Sequence, residues 1–271
     1  MKATFILILL TLTLILTVPA LTTHARGISD DELIIYYSFD KDTLEKGEVL
    51  DGSENENHGL LRGNLKIVEG KVNECMEFPG GAANYIAVQN HHYADLFPEL
   101  TLAVWIKTAQ RGMIASWDRS EFFRFGAGDD VLGNLTFVGF DVCCPIKDWH
   151  GDVKVTDDQW HHVVATFDAE MKRIYVDGEL DVEAPTDTNN KMIGKVITRY
   201  GFIGIGSEAG AFGGAVGPNW AFNGLMDEFF LFHRAFSKDE VESLANARGN
   251  PFAVEPADKL SITWGKIKSV K

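Results

Sequence analysis

Asp158 to Asp168 reads DQWHHVVATFD and runs on as AEMKRIYVDGEL from Ala169 to Leu180. With a period of two, Trp160, His162, Val164 and Thr166 fall on one face of a strand, and His161, Val163, Ala165 and Phe167 on the other. A turn at Asp168 to Met171 sends the chain back through Arg173, Ile174, Tyr175 and Val176. Asp177-Gly178 then supplies the two positive-φ positions that a type I′ hairpin demands. The stretch is therefore a meander of three antiparallel strands. Its first strand is apolar on both faces, as expected in the middle of a sheet covered by another layer. The adjacent histidines start that strand and point to opposite sides, so they cannot converge on one ion or one reacting group.

Working outward, short apolar or alternating runs recur on both sides of the meander. They include Leu33 to Phe39, Tyr85 to Val88, Leu100 to Lys107, Phe122 to Phe125, Leu135 to Phe140 and Phe202 to Ile205. β-Branched and aromatic residues fill them, and Gly, Asn and Asp separate them. This spacing predicts an all-β sandwich or barrel rather than alternating βα units. One helix signal stands out late in the chain. Ser237-Lys238-Asp239-Glu240 is a capping box, followed by about ten residues through Val241, Leu244 and Ala245 that stop near Gly249-Asn250-Pro251.

The first residues, MKATFILILLTLTLILTVPALTTHA, have one lysine, a long apolar run and small residues before Arg26, which is the form of a secretory signal peptide over residues 1–25. Val18-Pro19-Ala20 and Thr23-His24-Ala25 both suit cleavage, and an uncleaved anchor is the competing reading. Cleavage leaves about 245 residues, an ordinary length for one β domain. That domain is expected over 30–250, with a tail over 251–271 that is either an edge strand or a sorting element. The exported chain is expected to be secreted or held at the cell surface. A net charge of −14 without a basic run disfavours nucleic acid as a partner. No segment beyond the first is apolar enough to insert in a membrane. The three cysteines, Cys75, Cys143 and Cys144, allow one disulfide, either from Cys75 to one of the pair or between the two neighbours.

Several stretches occur in an order that resembles a known family. They are DGSENENHGLLRGN from Asp51, GKVNECMEFPGGAANYIAVQN from Gly70, LTLAVWIKT from Leu100, the QWHHVVATFD meander, YGFIGIGSEA from Tyr200 and NGLMDEFFLFHRAFSKDEVESL from Asn223. Together they are similar to the laminin G-like jelly roll of the concanavalin A-like lectin and glucanase superfamily. The resemblance implies a two-sheet antiparallel jelly-roll sandwich of six or seven strands per sheet, with one short C-terminal helix and the chain ends meeting on one sheet. It also implies a structural calcium ion held by Asp40, by Asn57 with neighbouring backbone carbonyls, and by Asp227, whose oxygens suit a cation that wants about six to eight such ligands.

Glycanases of this fold place two carboxylates on one concave strand, with a spacing such as Glu-x-Asp-x-x-Glu. The sequence lacks that spacing. Asp227 and Glu228 are adjacent and expected to face opposite ways, and Asp129-Asp130 sit in a glycine-rich turn. G-x-S-x-G and H-E-x-x-H motifs are also missing. No catalytic residue is therefore assigned. The expected function is an exported, non-catalytic recognition module for a glycan or an extracellular protein, with a polysaccharide hydrolase or lyase as the alternative and a purely structural surface protein as a third class. Trp117, Trp149 and Trp220 fall in loop-like stretches, where an indole can stack on a sugar, and are the candidate ligand-binding residues. The glycines at 210, 213, 214 and 217 make the approach to Trp220 a loop.

Overall fold

The computed structural model describes residues 28, 30–118, 120–129, 134–143, 148–186, 189, 191–212, 220–247 and 251–252. In chain order its strands begin with β1 (Leu33–Tyr37), β2 (Leu44–Glu45), β3 (Glu48–Val49), β4 (Gly59–Arg62), β5 (Lys66–Glu69) and β6 (Glu74–Pro79). They continue with β7 (Tyr85–Tyr93), β8 (Leu100–Lys107), β9 (Gly112–Ser116), β10 (Phe123–Asp129), β11 (Asn134–Val142) and β12 (His150–Lys154). The last five are β13 (Trp160–Phe167), β14 (Met171–Val176), β15 (Glu179–Pro185), β16 (Arg199–Ile203) and β17 (Asn223–Phe232), after which helix α1 spans Lys238–Asn246.

These strands make two antiparallel sheets. The first has eight strands in the order β15-β14-β13-β8-β17-β6-β5, with β1 also pairing with β17. The second has nine in the order β12-β11-β10-β9-β16-β7-β4-β3-β2. Counting the short edge strands, both sheets exceed the six or seven expected. β1 pairs with β17 from Leu33 opposite Phe232 to Tyr37 opposite Phe229, so the start and end of the domain do meet on one sheet.

The meander forms as its pattern dictates. β13 aligns with β8 from Trp160 opposite Lys107 to Phe167 opposite Leu100, and with β14 from Val163 opposite Val176. Asp177 and Gly178 take φ of 53° and 86°, the positive pair of the expected turn. Val163, Ala165 and Phe167 enter the main core between the sheets with Leu102, Ile106 and Phe140. Val164, on the other face, joins a second apolar cluster with Tyr36, Phe230 and Phe232, and Val241 and Leu244 of α1 close over it. A covering helix explains why β13 is apolar on both sides. The capping box is present, with Ser237 Oγ accepting from Glu240 N–H and Glu240 Oε2 accepting from Ser237 N–H at 2.9 Å; such a cap contributes about 1 kcal/mol.

Cys75 is a buried free thiol and Cys143 is disulfide-bonded, so pairing through Cys75 is ruled out. Among the described residues no helix is long and apolar enough to cross a membrane. The expected signal segment, Cys144 and the tail after Phe252 lie outside the described residues.

Candidate functional site

The three candidate tryptophans have different surroundings. Trp117 is fully buried in the main core. Gly201 leaves the space for it, since a Cβ there would lie 1.8 Å from Trp117 Cε2. Trp117 is thus a core residue and not a ligand-stacking one, which corrects the expectation from its loop-like context. Trp149 is half-buried and packs against the core, with the Lys172 ammonium 5.6 Å from its ring centre. Trp220 is half-buried over the Arg124 guanidinium, 4.6 Å away. Arg124 is itself buried and ion-paired with the buried Asp141 on the neighbouring strand β11.

Beside Trp220, the second sheet turns an aromatic row away from the core. Ala87 of β7 and Phe202 of β16 form a separate buried cluster with Ile205 and Ala209, while their strand neighbours Ile86 and Ile203 enter the main core. Tyr85 and Tyr200 are only half-buried against this outer cluster. Tyr85 meets Phe202 edge-on at 5.0 Å, the exposed His92 stacks on Tyr200 at 4.9 Å, and Tyr200 leads at 6.2 Å to Phe212, which is 36% exposed. Sequence reasoning missed this row. The alternation of Tyr85 with Ile86 and of Phe202 with Ile203 was its signal, but alternation does not say which face lies outside.

Of the three expected calcium ligands, Asp40 and Asp227 lie near one another. Asp40 follows the end of β1, where its Oδ1 accepts from Glu74 N–H, and it is close enough to Asp227 to raise that carboxyl's pKa. Asn57 is tied to the other end of β1, donating from Nδ2 to the Ile34 carbonyl at 2.8 Å, while its own N–H donates to Asp51. The Asn57 carbonyl also accepts from Tyr37 Oη, at the Asp40 end of β1. Among the described residues no three His, Cys, Asp or Glu side chains are grouped so as to hold a metal ion.

Asp227 and Glu228 also depart from the expectation that they face opposite ways. The pairing of β17 with β8 shifts register between Asp227 and Phe230, and Glu228 takes φ of 53°, so a β-bulge breaks the alternation. Asp227 Oδ2 accepts from Lys71 N–H and Val72 N–H at 2.9 and 2.8 Å, and Glu228 Oε2 accepts from Tyr36 Oη. Burial, with repulsion from Asp40, pushes Asp227 up to about 7, and burial with repulsion from Asp227 and Asp40 pushes Glu228 up to about 8. Asp227 Oδ1 and Glu228 Oε1 are buried without a hydrogen-bond partner.

The histidine pair is structural. His161 Nδ1 lies 2.9 Å from Asp177 and its Nε2 3.1 Å from Asp157. His162 is 1% exposed against Trp105, and burial lowers its pKa to about 4, so it is neutral.

The family model of the concanavalin A-like lectin/glucanases superfamily, Laminin_G_3, matches residues 80–242, more than half of the chain. The chain belongs to that superfamily. The laminin G-like sandwich extends beyond the matched span, since β1 pairs with β17. No curated protein matches the chain in sequence. Among solved structures, the laminin G-like fold is shared with the binding domain of Paraclostridial Mosquitocidal Protein 1, at 16% identity and TM-score 0.59 over 80% of this chain and 52% of that one. It is shared also with domain 4 of AbnA, a GH43 extracellular arabinanase from Geobacillus stearothermophilus, solved in complex with arabinotriose, at 17% identity and TM-score 0.59 over 79% of this chain and 98% of that one. A third is the ligand binding domain of botulinum neurotoxin serotype D in complex with N-acetylneuraminic acid, at 11% identity and TM-score 0.55 over 80% of this chain and 51% of that one. The chain thus spans about half the length of the two toxin domains.

Proposed function

We propose that this chain is an exported, non-catalytic module that recognises glycans through the outer face of the second sheet. The partly exposed row of Tyr85, Tyr200, His92, Phe212 and Trp220 carries the reading. Flat rings of this kind stack on the apolar faces of sugars, while polar neighbours orient the hydroxyls. Membership of a lectin and glucanase superfamily supports the reading, as does the arabinotriose complex of the neighbour that the chain matches over nearly its full length. Three of the carboxylates described above are buried. Asp141 is sealed under Trp220 by Arg124, and Asp227 and Glu228 are buried in the other sheet, which favours recognition over hydrolysis.

The test follows retention on a panel of soluble polysaccharides and the release of reducing ends in the same samples. Retention without release, weakened at least tenfold by Tyr200→Ala, supports a glycan-binding module. Release of reducing ends overturns the non-catalytic reading. Absence of any retention overturns the glycan and leaves an extracellular protein as the partner.

A further inference from the structure

A groove of about 740 Å³ lies on the first sheet, at the end where the β5–β6 and β14–β15 turns approach the C-terminus of α1. Trp105, Trp160, Lys71, Asn73, Asp177 and Asn246 line it. Its size suits a small ligand, and it belongs to the opposite sheet from the aromatic row. We infer that this groove is a second saccharide site that takes a neutral sugar unit. The inference rests on the glycan reading and deepens it.

The chemistry of the walls argues for this class. Trp160 is half-buried and offers an apolar ring. Trp105 is 8% exposed, and the ammonium of the exposed Lys71 stands 4.3 Å from its ring centre, so the cation is held over the indole as a donor at the groove wall. Asp177 faces the same space as a rigid acceptor, with Oδ1 accepting from His162 N–H at 2.9 Å and Oδ2 beside His161 Nδ1 at 2.9 Å. Asn246 is the last residue of α1, at the helix's negative pole, and its Nδ2 donates to the Glu242 carbonyl at 2.8 Å, which leaves its Oδ1 as an acceptor. An anionic sugar gains at Lys71 but is repelled by Asp177 and the helix end, and a cation meets the reverse. A neutral polyol donates to Asp177 and the Asn246 amide oxygen while accepting from Lys71 and Asn73, which satisfies both walls. With sites on opposite sheets, one chain can hold two segments of polysaccharide at once.

Calorimetry tests this with neutral trisaccharides of arabinose, xylose, glucose and galactose, and with N-acetylneuraminic acid as the anionic probe. Two neutral trisaccharides per chain are expected. Trp160→Ala should remove one and leave the site that Tyr200→Ala removes. Asn246→Trp, which fills the groove from an exposed position at the end of the helix, should do the same and guards against misfolding of the Trp160 variant. One site that is unchanged in both groove variants and lost in Tyr200→Ala overturns the groove and leaves the glycan reading intact. Tighter binding of N-acetylneuraminic acid than of the neutral probes in the groove overturns the assigned class. No binding of any probe to the wild type overturns both readings together.

Discussion

Tyr36 Oη donates a 2.8 Å hydrogen bond to Glu228 Oε2, tying the first strand to the last across 192 positions. Both side chains are buried, at 4% exposure each. Tyr36→Phe keeps the ring stacked on Phe230, whose centre is 4.5 Å away, but leaves the carboxyl without its donor. The expected loss is about 1–3 kcal/mol in urea unfolding at pH 7. An unchanged midpoint would mean the bond contributes nothing.

Glu228 and Asp227 make stability depend on pH. Their native values of about 8 and about 7 lie above those of the unfolded chain, near 4. The native state then holds protons that the unfolded state has released. Their contribution is full below about pH 4 and falls as pH rises towards 8. His162 and His233 at about 4 and His91 at about 3 act in the other direction, since burial keeps them neutral and their contribution is lost as pH falls below about 6.5. Glu228→Gln imitates the protonated acid and should flatten the alkaline decline, gaining roughly 1–2 kcal/mol over wild type at pH 8. Melting curves from pH 5 to 9 that run parallel for the two proteins would refute the assignment.

Arg124 and Asp141 form an ion pair whose side chains are 4% and 1% exposed. Arg124→Met strands a buried carboxylate and should cost about 3–5 kcal/mol. Arg124→Met with Asp141→Leu should recover much of that loss, because the charge left unpaired is what destabilises. A double variant no better than the single one would show that the pair itself carries the stability.

Gly201 and Trp117 exclude any side chain between them. Gly201→Ala should destabilise by at least the roughly 3 kcal/mol at the upper end of overpacking costs. Trp117→Ala should lose about 3–5 kcal/mol by opening a cavity. Any of this protein that remains folded should still bind glycans as the wild type does. A folded Trp117→Ala variant with selectively weakened binding would return Trp117 to the ligand site.

The strands of the meander, the Asp177-Gly178 turn and the capped helix were legible in the sequence, and so was the resemblance that named the family. Each rests on rules that act over a few residues: a period of two, a positive-φ pair, a side chain reaching three positions along. Those rules divide residues between two faces but do not say what lies against either one. Trp117 reads as a loop residue until Gly201, on a strand far along the chain, is placed against it. Adjacency predicts that Asp227 and Glu228 diverge, and the bulge where β17 pairs with β8 overrides it. Local sequence therefore determined the strands, the turns and the class of fold. The tertiary pairing of distant strands decided which rings face outward, which carboxylates lose their water and where a groove opens, because burial is set by whatever packs against a face.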